Sequence, residues 1–136
     1  MSALSPQEEG LKVEHLNLTG TQIRYLLTIS RLHQTQQHIR SLDIAILLGL
    51  AKPSVHKMMN TFMDLGLVNK EPYGEIILTE AGKQTAAAYE QYYMVISKIL
   101  SPVISHDEQT EYAIFNFLSG ISEKSLESVR LYLGDS

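Results

Sequence analysis

The chain has 136 residues, 44% of them hydrophobic, so it is long enough to bury a core, and it has no cysteine for a disulfide or a thiolate metal site. Its net charge of −4 argues against a broadly basic nucleic-acid-binding protein. No run approaches the roughly 18 apolar residues of a membrane helix, and no signal-peptide core is visible. We therefore expect a cytoplasmic protein without membrane contact.

The pattern of elements predicts a mainly α fold in three parts. Residues 1–19 are expected to form an N-terminal arm, residues 20–80 a winged helix-turn-helix domain, and residues 81–136 a helical dimerisation domain. The first helix of the winged domain is predicted from about Thr21 to Leu32. Because its apolar residues face two sides, we expect it to pack between neighbouring helices.

The segment from residue 41 to residue 83 is the most informative one, since it has the order helix, turn, helix, two-stranded wing, helix. A short apolar helix begins at Ser41 and ends before Gly49, and glycine readily adopts the left-handed conformation that closes a helix. The next helix begins at Lys52 and Pro53, because proline is tolerated in a first helical turn. Its apolar residues share one stripe and its polar residues the opposite side, which predicts a DNA-reading helix.

A wing follows, with strands over residues 67–71 and 75–78 around a turn at 72–74, and Thr79 is expected to cap the next helix. Four regions are predicted to contact DNA: the polar side of the helix that begins at Lys52, the first turn of that helix, the wing, and the start of the helix at Ser41. These residues are Arg40, Ser41, Lys52, Pro53, Ser54, His56, Lys57, Asn60, Lys70 and Tyr73. Asn60 is the sharpest specificity candidate, because asparagine can pair bidentately with adenine.

Charge weakens this prediction. Residues 20–80 carry six basic and five acidic side chains, so their net positive charge is small for a surface that contacts DNA phosphates. We therefore expect modest affinity for double-stranded DNA and dependence on a homodimer. A winged-helix module that binds a protein instead of DNA stays open as an alternative.

The region after the wing is predicted to contain three helices, the first from about Glu80 to Leu100. Ser105 and Glu108 resemble a capping box for the second helix, and Ser122 can cap the third. The apolar surface of these helices exceeds what the winged domain can cover, which indicates a dimer. The predicted dimer interface or ligand pocket consists of Tyr89, Tyr92, Tyr93 and Ile96. An ordinary core with tyrosine hydroxyls at the surface is the alternative.

No catalytic pattern is present in the sequence. There is no cysteine nucleophile, no glycine-rich phosphate loop, no His-Glu-x-x-His motif and no serine between glycines. The carboxylates are scattered over amphipathic helices. We predict that the protein is not an enzyme.

Several motifs together resemble the metal-dependent repressors of the diphtheria toxin repressor and manganese transport regulator (DtxR/MntR) family. They are RYLLTISRL at 24–32, DIA at 43–45, PSV at 53–55, EPYG at 71–74 and LTEAGK at 78–83. The resemblance covers residues 21–133 and implies a homodimeric transcriptional repressor without the SH3-like domain of longer members. MarR-type regulators share much of this pattern, so a MarR-like regulator with a small-molecule effector remains an alternative.

The resemblance also implies control by Mn²⁺ or Fe²⁺, bound by residues of the first helix, the long helix and the helix after it. The corresponding positions hold Arg24 and Leu27, Tyr93 and Ser97, and, within one residue, Phe115, Leu118 and Ser119. Hard cations need oxygen or imidazole ligands, and a guanidinium repels them. We therefore predict no metal cofactor. A weaker alternative keeps metal control through Glu108 and Glu111 as relocated ligands.

Overall fold

A computed structural model describes residues 16–134, and residues 1–15 of the predicted N-terminal arm lie outside the described residues. The helices are α1 (Gly20–Thr35), α2 (Ser41–Leu48), α3 (Lys52–Asp64), α4 (Glu80–Leu100), α5 (Glu108–Gly120) and α6 (Glu123–Gly134). Two short strands, β1 (Val68–Lys70) and β2 (Ile76–Leu78), flank a 3₁₀ turn at Pro72–Gly74. The predicted mainly α class with a winged helix-turn-helix is confirmed.

The described residues divide into two compact units. The first, which we call the wing unit, is Thr28–Thr85, and the second, the helical unit, combines residues 16–27 with residues 86–134. The sequence-based boundaries after residues 19 and 80 stay predictions. None of the helices α1 to α6 combines the length and the apolar character needed to cross a membrane.

The turn between α2 and α3 forms as the sequence predicts. Gly49 has φ +66°, and the amide of Leu50 donates to the Ala45 carbonyl at 3.0 Å, which closes α2. Helix α3 begins with a proline in its first turn. It buries Val55, Met59 and Phe62, all at most 1% exposed, and so packs its apolar stripe into the core of the wing unit.

The wing is an antiparallel pair in which Asn69 lies opposite Ile77. Its tip differs from a simple turn, because Tyr73 adopts a left-handed φ of +69° beside Gly74 at +79°. The amide of Glu71 donates to the Glu75 carbonyl at 2.7 Å and closes the hairpin. A further bond from the Ile76 amide to the carbonyl of Ile39, at 2.8 Å, attaches the wing to the segment before α2.

The start of α4 is tied to the end of α3. The hydroxyl of Thr79 accepts from the Gly82 amide at 2.9 Å and donates to the Gly66 carbonyl at 2.6 Å, which confirms the predicted cap. Gly82 packs against the carbonyl of Leu67 so closely that a Cβ at this position would clash with it. The absence of a side chain at residue 82 therefore permits this contact.

The helical unit has a core of residues from α1, α4, α5 and α6. Its buried residues include Ile23, Leu26, Tyr89, Tyr93, Ile114, Phe115, Leu118 and Leu126. Asp107 caps α5 by accepting from the Thr110 amide at 2.8 Å, so the capping box predicted at Ser105 is wrong. Asp107 caps the helix in place of Ser105 because Asp107 is the residue directly before the first helical residue, Glu108. The cap predicted at Ser122 is confirmed by a bond from the Ser125 amide at 3.1 Å.

Candidate nucleic-acid interface

The exposed side of α3 presents a row of polar side chains. Its exposed residues include Lys52, Pro53, Ser54, His56, Lys57 and Asn60. His56 and Asn60 are one helical turn apart and share a face, with Lys57 beside them. The buried stripe on the opposite side holds this row outward, so the sequence pattern and the structure place the same side chains at the surface.

One contact joins α3 to the wing. The Lys70 ammonium lies 3.2 Å from His56 Nδ1 across the gap between β1 and α3. Because an ammonium group only donates, Nδ1 must be unprotonated in this contact, and the neutral ring then carries its proton on Nε2. His56 therefore offers an N–H donor on its other edge, next to a positive charge.

The wing tip and the start of α2 border this row. Tyr73 is 91% exposed at the tip, and Arg40 is exposed immediately before α2, where its amide donates to Asp43 Oδ2 at 2.8 Å. Ser41 differs from the other predicted contacts, because it is buried and its hydroxyl has no hydrogen-bond partner within the described chain. We call the exposed side of α3 together with Lys70, Tyr73 and Arg40 the α3–wing surface.

An apolar surface on α2 was not anticipated from the sequence. Leu42, Ile46 and Leu47 are all more than half exposed. Helix α2 buries Ile44 and Ala45 instead. Because its sequence is almost uninterrupted in apolar residues, apolar side chains also occupy its exposed face. That run, rather than any periodicity, was the signal available in the sequence.

The tyrosines predicted for an interface or pocket lie largely inside the helical unit. Tyr89 and Tyr93 are buried, and the rings of Tyr89 and Tyr92 meet edge to face at 5.6 Å. Burial raises the pKa of Tyr89, and the nearby Tyr92 and Glu123 add to the rise. The Tyr93 ring packs on Phe115 with centroids 5.1 Å apart.

A cavity of about 550 Å³ opens on the helical unit between the end of α4 and α5. Of the four residues predicted for an interface or pocket, Ile96 lines this cavity. Its other apolar walls are Ile99, Leu100, Ile104, Ala113, Ile114 and Phe117. Ile99, Ile104 and Phe117 are about half exposed, so an apolar surface surrounds the cavity.

The positions that the family resemblance assigns to a metal have different chemistry here. Arg24 Nη2 lies 3.2 Å from Glu108 Oε1, and its guanidinium carbon is 4.7 Å from the centre of the Tyr112 ring. Leu27 is fully buried. Helix α5 thus brings Glu108 and Tyr112 to Arg24, one turn or more ahead of the positions that the sequence resemblance indicates.

A hydrogen-bonded cluster surrounds the other two positions. The Tyr93 hydroxyl lies 2.9 Å from His106 Nε2 and 3.4 Å from Glu111 Oε2, and the Ser97 hydroxyl lies 3.3 Å from His106 Nδ1. We call Tyr93, Ser97, His106 and Glu111 the Tyr93 cluster. Between residues 16 and 134, no group of three or more histidine, aspartate or glutamate side chains could hold a metal ion.

A helix-turn-helix with a short wing, followed by a helical unit, is an arrangement found in winged-helix transcription regulators. Comparison with known proteins agrees. A family model described as the IclR helix-turn-helix domain matches residues 29–72. The transcriptional regulator MntR of Escherichia coli O6:H1 is 25% identical over 108 residues, which cover 79% of this chain and 70% of that protein.

Solved structures share the fold. A hypothetical protein, SSo2273 of Sulfolobus solfataricus, is 26% identical with a TM-score of 0.63, covering 88% of this chain and 92% of that one. The manganese regulator SloR is 20% identical with a TM-score of 0.68, covering 85% of this chain and 54% of SloR. The chain therefore spans about half the length of SloR.

These comparisons confirm the resemblance to the DtxR/MntR repressors, and the chain is similar to helix-turn-helix transcriptional regulators of the metal-dependent repressor type. The relatives are regulators and not enzymes. The residues present do not fit the metal that this resemblance implies. A guanidinium and a leucine stand on α1, and Glu108 already pairs with Arg24.

Proposed function

We propose that this protein is a homodimeric, cytoplasmic DNA-binding repressor that acts without the divalent metal of its structural relatives. The α3–wing surface supports this proposal most directly, because it presents polar and basic side chains on a helix whose opposite stripe is buried. In this function α3 enters the major groove. The wing and the start of α2 lie along the phosphate backbone.

Each group on the surface has a role that its chemistry suits. Asn60 pairs with an adenine, and the outward N–H of His56 donates to a base edge or a phosphate. Lys57, Lys70, Lys52 and Arg40 neutralise phosphates. Tyr73 reaches toward the minor groove from the wing tip. Ser41 contributes through its backbone amide at the start of α2, because its side chain is buried.

The test is fluorescence anisotropy with a labelled duplex from upstream of the protein's own gene, titrated in EDTA and again with Mn²⁺. We expect salt-sensitive binding that is equal in the two buffers. The double variant Lys57→Ala/Lys70→Ala should bind more weakly, and the slope of log affinity against log salt should fall by about 2. Lys98→Ala/Lys124→Ala is the matched control, since it removes two exposed lysines of the helical unit.

Each alternative has its own signature in this assay. Binding only with Mn²⁺ would contradict metal independence and favour Glu108 and Glu111 as ligands. Equal losses in the two lysine variants would mean that the helical unit contributes to the DNA contact. No binding in either buffer would favour the protein-interaction alternative.

The dimer in this proposal uses the apolar surface around the cavity of the helical unit. Ile99, Ile104 and Phe117 surround it, and side chains of this size exposed together are typical of protein interfaces. Phe117→Glu should convert the dimer to a monomer in sedimentation and weaken DNA binding with it. Ala87→Glu, on an exposed position of α4, should leave the dimer intact. A Phe117→Glu protein that stays dimeric would exclude this surface.

A second candidate function, a protein-interaction module, is favoured by the apolar face of α2. Ile46 and Leu47 are 71% and 59% exposed, and large apolar side chains exposed side by side are typical of a protein interaction site. The double variant Ile46→Ser/Leu47→Ser should leave DNA affinity unchanged if DNA is the partner of α3. If the protein binds no DNA and this variant alone gains solubility, the interaction module is the better description.

A further inference from the structure

We infer that Arg24, which stands at a position that the family resemblance assigns to a metal ligand, acts as a built-in cation that joins α1 to α5. The inference rests on the proposed metal-independent function and names how that independence arises. It assigns a regulatory consequence to one residue, since a cation that belongs to the chain cannot dissociate.

The contacts of Arg24 are those of a bridging cation. Its side chain is only 13% exposed although it is charged, whereas the Glu108 side chain is 82% exposed. It approaches the Glu108 carboxylate at 3.2 Å and stands over the Tyr112 ring at 4.7 Å, so two residues of α5 hold one guanidinium of α1. Carboxylate pairing and cation–π contact act on the same charge from two sides.

The chemistry of the guanidinium explains why this arrangement removes a requirement for metal. A divalent ion joins two helices by accepting oxygen ligands from both, and it does so only above a threshold concentration. Arginine stays protonated under all physiological conditions and presents several donors in a fixed plane. The contact between α1 and α5 is therefore present at every metal concentration.

The neighbouring residues reinforce this assignment. Leu27, one turn further along α1, is fully buried and offers no oxygen. In the Tyr93 cluster, the Glu111 carboxylate accepts from the Tyr93 hydroxyl, and both nitrogens of His106 face hydroxyl groups. The polar groups that a metal would need are thus engaged within the chain.

The test is thermal unfolding of the full chain and its variants in EDTA and in Mn²⁺, which needs no DNA. For the parent protein we expect the same midpoint in both buffers. Arg24→Ala should lower the midpoint by about 5 °C, and Arg24→Lys by less, because lysine keeps the charge but not the planar contact with Tyr112. Arg130→Ala is the matched control, since Arg130 pairs with Glu127 inside a single helix, and it should shift the midpoint by roughly 1 °C.

Charge reversal sharpens the test. Arg24→Glu places a carboxylate opposite Glu108, so the two helices should repel each other and the midpoint should fall further than in Arg24→Ala. Mn²⁺ should then recover several degrees in Arg24→Glu and none in the parent protein, because a divalent cation relieves that repulsion.

Two results would overturn the inference. One is a parent protein whose midpoint rises with Mn²⁺, and the other is an Arg24→Ala variant no less stable than Arg130→Ala. Failure of the proposed function is a separate result, because it appears as a lack of DNA binding while this thermal pattern still holds. If both the pattern and DNA binding hold, Arg24→Ala should weaken DNA affinity in EDTA more than Arg130→Ala does.

Discussion

The cationic side chains around α3 in the wing unit and the Arg24 side chain of the helical unit lie in opposite environments. In the wing unit, Lys52, Lys57 and Arg40 are exposed around α3. In the helical unit, Arg24 and Glu108 pair with each other, and Tyr93 bonds with groups of its own unit. The cations around α3 are exposed to solvent, whereas the Arg24 guanidinium is largely buried and paired within its own unit. In the proposed function, the comparison teaches that a DNA-reading surface can be kept while the control site of the same fold changes its chemistry.

The largest effect we expect comes from Gly82 in the wing unit. Gly82→Ala adds a Cβ that clashes with the Leu67 carbonyl, so α4 and the α3–β1 connection must move apart. We expect a loss of about 2–3 kcal/mol in the free energy of unfolding, which is the cost of overpacking a rigid backbone contact. The measurement is urea denaturation of both proteins.

Gly120 in the helical unit supplies the matched control for Gly82. Nothing lies within 4 Å of a Cβ built there, although it too belongs to a helix. Gly120→Ala should be neutral or slightly stabilising, by up to about 1 kcal/mol. A Gly82→Ala protein as stable as Gly120→Ala would mean that the contact with the Leu67 carbonyl does not limit residue 82.

The second prediction concerns the base contact proposed for the wing unit. Asn60→Ala should reduce the preference for an adenine at one position of the bound duplex by about 1–3 kcal/mol, or roughly 5- to 150-fold. Sequencing of duplexes selected from a random pool would measure it. Gln91→Ala, an exposed amide of the helical unit, should leave the selected sequence unchanged. A uniform loss over all sequences would assign Asn60 to the phosphate backbone.

The wing unit was also the part that the sequence predicted best. Helix periodicity, Gly49 and Pro53 are local signals. Helix α2 ends before Gly49 and α3 begins beside Pro53, as those signals predict. The helical unit was harder, because its polar contacts join residues far apart in the chain. Arg24 and Glu108 are 84 residues apart, and nothing local in the sequence indicates that they meet. The cap at Asp107 was missed for a smaller reason, since Ser105 offered a competing motif two residues earlier.

The third prediction separates stability from binding at the wing tip. Tyr73 holds a left-handed φ of +69°, which costs a residue with a Cβ about 1–2 kcal/mol. Tyr73→Gly should therefore stabilise the protein by roughly 0.5–1 kcal/mol, after the larger unfolded-state entropy of glycine is counted. It should also weaken DNA binding, because the ring is lost. Tyr73→Ala loses the ring but keeps the strain, so it should weaken binding without gaining stability.

The smallest effect is expected at Asp107 in the helical unit and depends on pH. The backbone amide of Thr110 donates to this carboxylate and lowers the pKa of Asp107 below its ordinary value of 3.8. Because the folded pKa lies below the unfolded one, the ionised cap contributes its stability above the unfolded pKa, and the contribution is lost as pH falls through the folded pKa. Asp107→Ala should therefore have a lower urea midpoint of unfolding than the parent protein at pH 6, and the difference between the two midpoints should narrow as pH falls from 4 to 3.

Asp107→Asn keeps a neutral capping oxygen, so its urea midpoint should lie between the other two at pH 6. A gap between the parent protein and Asp107→Ala that is constant from pH 6 to pH 3 would show that the charge of the cap does not contribute.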